Sequence, residues 1–274
     1  MVSAYILQSV LALSAFAGAA PAQSAPAGQI PPHSPLRAPV EPPPAPKELT
    51  PEMRGDIFMA RKMYREAIEV YQKQTATLNK KLESDKLKLA VLANKIGIAY
   101  HQMTELDRAK KQYEQALKLN PKYAEAINNL GTVHYAKRSY RRAVGQYKKA
   151  LKFSPNSASI YSNLGTAHFA RKKYKDAFEA YQQALALDPD VFEHRSTHGV
   201  LLQERSVEER AKFHFYLAKV YAKAGMVDRV LLYMRKALEE GFKDRDKFKE
   251  DPEFASFQQH PEFQQLLALE PRVL

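Results

Sequence analysis

The chain has 274 residues with neither cysteine nor tryptophan, and 42 Lys and Arg against 30 Asp and Glu give a formal net charge of +12. The length fits one large domain or two small ones. The missing cysteine excludes disulfides, thiolate nucleophiles, cysteine-ligated zinc sites and iron–sulfur clusters, so any folded domain is stabilised by packing alone.

The first segment, residues 1–22, has the composition of an export signal. Residues 4–20 carry no charge and end in small side chains, and Ala20-Pro21-Ala22 fits the cleavage site of a signal peptide. No Lys or Arg precedes the apolar run, which leaves open an uncleaved anchor or a start codon further upstream. The sequence therefore predicts an exported protein of the periplasm or cell envelope, or a secreted one.

A proline-rich strip follows at residues 23–51. Eleven of the 17 prolines lie between residues 21 and 51. Such a composition buries too little apolar surface to offset the entropy of ordering, so it predicts a disordered or polyproline II linker. A spacer is the favoured interpretation, and a docking site for a proline-binding module is the alternative.

The body of the chain repeats with a step of 34 residues. Five columns keep this step: Gly97, Gly131 and Gly165; Ala109, Ala143 and Ala177; Tyr113, Tyr147 and Tyr181; Ala116, Ala150 and Ala184; and Pro121, Pro155 and Pro189. Proline ends a helix because it lacks an N–H donor, and small residues allow helices to approach closely. Each unit therefore predicts an antiparallel helix pair, and such pairs must stack to bury their apolar faces. The units are 90–123, 124–157 and 158–191.

These columns resemble the tetratricopeptide repeat family, with Leu130-Gly131 and Leu164-Gly165 as its Leu-Gly pair. His134 and His168 stand where the family has Tyr. The resemblance, to bacterial exported members, implies an all-α fold: a right-handed superhelical solenoid of antiparallel helix pairs with a C-terminal helical cap.

Less regular segments flank the three repeats. The sequence predicts a divergent first repeat with an insertion at 52–89, a second insertion at 192–210, a divergent repeat at 211–244 and a helical cap at 245–274. The cap contains the duplication DPEF and HPEF.

The resemblance further implies a concave groove, lined by the first helix of each pair, that binds extended peptides or partner helices. The residues expected to face it are Asn94, Lys95, Asn128, Asn129 and Asn163. An asparagine carries both donor and acceptor, so a row of them can bond a peptide backbone of any sequence. This row looks like the asparagine ladder of the O-linked N-acetylglucosamine transferase. The alternative is that these asparagines are ordinary helix-surface residues.

Positive charge is concentrated in the second regular repeat. Residues 126–157 contain seven cations and no acid: Lys137, Arg138, Arg141, Arg142, Lys148, Lys149 and Lys152. The favoured interpretation of this basic patch is a solvated face. The alternative is binding to nucleic acid or to an anionic membrane.

The sequence contains no G-x-S-x-G motif, P-loop or dinucleotide fingerprint. His194 and His198 have the i, i+4 spacing of two metal ligands on one helix face, but no third ligand is evident. A metal-dependent enzyme built on the 192–210 insertion is therefore a minor alternative. The favoured function is a non-catalytic scaffold without cofactor or metal, which binds another protein and contacts a membrane only through its N-terminal segment.

Overall fold

The computed structural model describes residues 49–193 and 206–269. In these two ranges every regular element is a helix. The helices are α1 (Pro51–Ala60), α2 (Tyr64–Thr77), α3 (Glu83–Gln102), α4 (Leu106–Leu119), α5 (Ala124–Ala136), α6 (Tyr140–Leu151), α7 (Ala158–Ala170), α8 (Tyr174–Leu187), α9 (Val207–Lys223), α10 (Val227–Glu239), α11 (Lys247–Glu250), a 3₁₀ helix (Pro252–Phe257) and α12 (Pro261–Ala268).

The helices pack in consecutive pairs, and the pairs stack in chain order. Each odd-numbered helix from α1 to α9 packs most extensively against the helix that follows it, and α2–α3, α4–α5 and α6–α7 join neighbouring pairs. The predicted all-α solenoid of antiparallel helix pairs is confirmed. Segments 1–48, 194–205 and 270–274, which include the export segment and nearly all of the linker, lie outside the described residues.

In each of the three regular pairs, a glycine of the first helix packs beneath a tyrosine of the second, which allows the two helices to approach closely. A Cβ atom on Gly97, Gly131 or Gly165 would stand 2.5–2.6 Å from a ring carbon of the tyrosine sixteen residues later. Those rings (Tyr113, Tyr147 and Tyr181) are buried. Glycine is needed here because the ring occupies the space of the missing side chain. In the last pair both partners change together, to Ala218 and Met234, and both remain buried.

Phenylalanines close the C-terminal end of the solenoid. Phe215 of α9 stacks on Phe242 with ring centroids 4.6 Å apart, and Phe248, Phe254 and Phe263 pack beside them. Their burial covers the apolar face that the last helix pair would otherwise expose to water.

Two boundaries differ from the sequence prediction. Pro51, placed in the linker, is the first residue of α1, because proline is favoured at the first helical position and Thr50 caps the helix by accepting from the Met53 N–H. Residues 207–210, placed in the second insertion, form the start of α9, where the Ser206 hydroxyl accepts from the Glu209 N–H. Residues 83–89, at the end of the predicted 52–89 segment, are helical and form the start of the 20-residue α3.

The turns inside the helix pairs share one left-handed position. Lys62, Thr104, Arg138 and Lys172 have φ between 56° and 60°, and Gly225 occupies the same place in the last pair. Glycine alone adopts this conformation without a steric cost, so the four other side chains strain their turns.

Within the part of the chain that the structure describes, no helix combines the length and apolar character needed to cross a membrane.

Candidate functional site

Four asparagines on three successive first helices form one hydrogen-bonded chain. Asn163 of α7 donates from Nδ2 to Oδ1 of Asn128 in α5 over 3.0 Å. Asn128 in turn donates to Asn129 over 3.4 Å, and Asn129 donates to Asn94 of α3 over 3.0 Å. We call Asn94, Asn128, Asn129 and Asn163 the carboxamide row.

The row follows a rule that holds between neighbouring repeats. The residue two positions before the glycine of one repeat donates to the residue three positions before the glycine of the preceding repeat. Asn129 bonds Asn94 in this way, and Asn163 bonds Asn128. Lys95 obeys the same rule, since its Nζ lies 2.7 Å from Oε1 of Glu52 in α1. These side chains therefore connect one repeat to the next.

A carboxylate ends the row and fixes its direction. Asn94 donates from Nδ2 to Oε1 of Glu125 over 3.0 Å, and the Tyr123 hydroxyl donates to Oε2 of the same carboxylate. An ionised carboxylate only accepts, so Asn94 must present its amide nitrogen to it and its oxygen to Asn129. Burial, with the adjacent Glu125 charge, raises the pKa of Tyr123 and keeps its hydroxyl protonated.

Lys95 is an ion-pair partner of α1 rather than a free groove residue. Its ammonium contacts Glu52 and both carboxylate oxygens of Asp56, at 2.7–2.9 Å. Burial of Lys95 opposes its charge, but the hydrogen bonds to Asp56 and Glu52 outweigh that effect and raise its pKa. The Tyr71 hydroxyl donates to Asp56 over 2.6 Å. The sequence placed Lys95 correctly on a first helix and missed its acidic partners.

The row differs in exposure along its length. Asn94 and Asn163 are 1% and 8% exposed, whereas Asn128 and Asn129 are half-buried. Each carboxamide has two N–H groups and an oxygen with two lone pairs, and the bonds above use one donor of Asn128 and of Asn129 and one acceptor site on each oxygen. Asn128 and Asn129 thus retain one donor and one acceptor each for a ligand.

The seven cations of the basic patch lie apart from the row, on α6 and on the turns at its ends. All seven are exposed. Lys137 pairs with Asp107 at the start of α4. The other six, from Arg138 to Lys152, form no ion pair with any residue in 49–193 or 206–269.

The two histidines of the repeat column, His134 and His168, both have lowered pKa values. Over the described residues no group of three or more potential metal ligands is found. His168 is buried with Nδ1 3.4 Å from Oδ2 of Asp176, and burial, only partly offset by that carboxylate, lowers its pKa. Burial also lowers the pKa of His134, and the nearby Arg142 charge lowers it further. His194 and His198 lie outside the described residues.

Sequence reasoning missed Glu125 and Tyr123, which terminate the row. Both precede Asn128 in the same repeat, but they act on Asn94 of the repeat before it. The polar residues two and three positions before each glycine indicated the contacts of Lys95, Asn129 and Asn163, but Glu125 and Tyr123 lie six and eight positions before Gly131, outside that pattern.

A comparison with solved structures found several that match part of this chain. A crystal structure of MamA is 20% identical, and the match covers 68% of this chain and 93% of MamA with a TM-score of 0.44. The corresponding values are 17%, 67%, 90% and 0.45 for MamA from Desulfovibrio magneticus RS-1, and 21%, 68%, 76% and 0.48 for BtubC (BKLC) from P. vanneervenii. No curated protein matches the sequence significantly.

Two family models, both described as tetratricopeptide repeat, match the sequence itself. One matches residues 94–158 and again 128–191, and the other matches residues 49–122. Together they span 49–191, which is more than half of the 274 residues. The chain therefore belongs to the tetratricopeptide repeat family.

Proposed function

We propose that this protein is a non-catalytic scaffold that binds another protein through the face carrying the carboxamide row. The observation that carries the proposal is the pair Asn128 and Asn129, half-exposed and held by hydrogen bonds on both sides. A peptide group has one donor and one acceptor, which matches what each of these two side chains retains.

The row is organised before a ligand arrives. Immobilising a flexible side chain on binding costs about 0.5–1.5 kcal/mol, and the bonds within the row remove most of that cost for Asn128 and Asn129. The partner best suited to this surface is an extended segment that lies along the repeats and is recognised by its backbone. Asn128 and Asn129 themselves are uncharged, and the lysine beside the row, Lys95, is already paired with Glu52 and Asp56.

Paired substitutions test the role of the row. Partners are captured from a cell-envelope extract on the immobilised full chain, identified by mass spectrometry, and their affinity is then measured. We expect Asn128→Ala with Asn129→Ala to weaken binding of the captured partner about tenfold or more, the equivalent of one to two lost hydrogen bonds. Asn156→Ala, at an exposed loop asparagine outside the row, is the matched control.

A second control separates ligand contact from folding. Asn94→Ala breaks the same row at a buried residue that a ligand does not reach. Asn94→Ala should lower the unfolding temperature strongly and the affinity for the partner weakly. The Asn128 and Asn129 double variant should lower the affinity strongly and the unfolding temperature weakly. Unchanged capture by the Asn128 and Asn129 double variant would contradict a binding role for the row.

We also propose that the scaffold is exported to the cell envelope. The support is the uncharged run at residues 4–20 followed by small side chains at the end of segment 1–22. N-terminal sequencing of the mature protein is the direct measurement. A chain that still begins at Met1 in the soluble cytoplasmic fraction would overturn this location.

A further inference from the structure

Helix α6 carries a stripe of unpaired positive charge. Its buried face (Ala143, Val144, Tyr147 and Ala150) packs in the core, and its exposed face carries Arg141, Arg142, Lys148 and Lys149. With Arg138 before the helix and Lys152 after it, the six cations extend over about 20 Å of helix axis. We call these six residues the α6 stripe.

The first turn of α6 departs from its counterparts in the other repeats. Across the described helix pairs, each other second helix opens with one acid and one base just before its small buried residue: Arg65 and Glu66, Asp107 and Arg108, Lys175 and Asp176, Asp228 and Arg229. In α6 the same two positions are Arg141 and Arg142. The N-terminus of a helix is the positive end of its dipole, so cations there are unfavourable and an acid is favourable. The packing of α6 does not explain why a second arginine replaces the acid at these positions.

The middle of the stripe has no side chain. Gly145 lies on the exposed face of α6, and a Cβ atom there would meet nothing within 4 Å. Glycine in a helix interior is unfavourable, and here no close packing requires it. Gly145 leaves bare backbone between the arginine pair and the lysine pair, which lie seven residues or about 10 Å apart. Another chain can therefore approach α6 closely at its centre.

Three features of this surface are unfavourable for stability: the six unpaired like charges, the arginine pair in the first turn of α6, and Gly145 in the helix interior. Such features together at one surface indicate a binding role. We propose that the α6 stripe binds an acidic polypeptide segment with two groups of carboxylates about 10 Å apart, the spacing of the two pairs of cations. Carboxylates seven residues apart on a helix, or three residues apart on an extended strand, have this separation. This surface is distinct from the carboxamide row and does not depend on it.

The neighbouring helices favour a narrow partner over a broad anionic surface. The stacking order puts α4 and α8 on the two sides of α6, and both mix acids with cations: Asp107 and Glu114 with Arg108, Lys111 and Lys118 on α4, and Asp176 and Glu179 with Lys175 on α8. Among these three helices, exposed charge of a single sign is therefore confined to α6. A membrane plane would bring anionic lipids against these acids as well as against the stripe. A single peptide segment along α6 avoids them. On α6 itself Tyr147 is buried and Tyr140 is half-buried, so the exposed ring beside the stripe is Phe153, and a single ring gives successive nucleobases no stacking surface.

A charge-reversal pair tests the proposal with the full-length chain. The probe is a fluorescently labelled polyglutamate peptide of about 15 residues, titrated at physiological ionic strength, where screening acts over about 8 Å. We expect Arg141→Glu with Arg142→Glu to weaken binding about tenfold or more, because two attractive pairs become repulsive. The matched control is Lys73→Glu with Lys88→Glu, which changes the net charge equally at exposed residues of α2 and α3.

The stability of the same variants gives an independent readout. The reversed pair restores acids to the first turn of α6, so its unfolding temperature should equal or exceed that of the wild type while binding is lost. Equal loss of binding in the control pair would show attraction to net charge alone and overturn the proposal. Failure to bind polyglutamate, or tighter binding of duplex DNA or of phosphatidylglycerol vesicles, would also overturn it.

Discussion

We expect the same glycine-to-alanine substitution to act in opposite directions at two neighbouring helices. Gly131 lies in α5 beneath the ring of Tyr147, and Gly145 lies on the exposed face of α6. A Cβ atom at residue 131 would stand 2.6 Å from Cε1 and 2.8 Å from Cδ1 of Tyr147, whereas one at residue 145 would meet no atom within 4 Å. The pair separates the helix preference of alanine from its steric cost.

The magnitudes follow from these distances. At residue 145 only the helix preference acts, so Gly145→Ala should raise the free energy of unfolding by about 1 kcal/mol. At residue 131 the ring would have to move by about 1 Å to reach a carbon–carbon contact of ~3.5 Å. Tyr147 is 1% exposed and enclosed by the core, so it has no room to move. Because the ring cannot move, the upper end of the usual overpacking cost of about 1–3 kcal/mol applies. Deducting about 1 kcal/mol of helix preference leaves a loss of about 2 kcal/mol for Gly131→Ala.

Urea unfolding followed by far-UV circular dichroism measures both variants. A double variant, Gly131→Ala with Tyr147→Leu, identifies the ring as the cause, because the added methyl then enters space that the smaller side chain has vacated. We expect a favourable coupling free energy above about 1 kcal/mol between these two sites. If Gly131→Ala proved neutral or stabilising, like Gly145→Ala, the close-packing account of the repeat would be refuted.

Three further substitutions address the turns, the histidines and the row. Thr104→Gly should stabilise by about 0.5–1 kcal/mol in thermal unfolding, because a β-branched residue at φ 60° gives way to one without steric cost. A histidine whose folded pKa is lowered binds more protons when unfolded, so stability is complete above pH ~6.5 and is lost as the pH falls toward the folded value. His168→Gln should therefore reduce the drop in unfolding temperature between pH 8 and pH 5; an unchanged pH slope would contradict this assignment. Glu125→Gln should cost about 0.5–1 kcal/mol, since Asn94 then donates to a neutral acceptor in place of a charged one; no change in urea unfolding would show that the carboxylate does not anchor the row.

The repeat columns predicted the fold because the residues of one column make the same packing contact in each repeat. The glycine and the tyrosine sixteen residues later fit one steric relation, so their joint recurrence along the sequence is enough to indicate a helix pair. The last helix pair has neither the glycine nor the tyrosine, but it keeps their steric relation. Ala218 adds a Cβ atom, and the flexible Met234 replaces the rigid ring that would collide with it.

The candidate site could be predicted only in part. Spacing from the glycine column identified which residues share a helix face, and it selected all four members of the carboxamide row. It did not reveal that Asn129 bonds Asn94 or that Lys95 bonds Glu52, because these contacts join residues 35 and 43 positions apart. Such pairing depends on the stagger between stacked repeats, and a one-dimensional period does not contain that quantity.

Ionic strength should distinguish the two proposed surfaces. Asn128 and Asn129 offer neutral hydrogen bonds, which salt screens little, whereas the α6 stripe acts through exposed charges. The screening length falls from about 10 Å at 0.1 M salt to about 3 Å at 1 M. Raising the salt over this range should therefore weaken polyglutamate binding to the stripe and leave capture by the carboxamide row nearly unchanged. Equal salt sensitivity of both, measured by fluorescence anisotropy on the same preparation, would mean that one charged surface accounts for both activities.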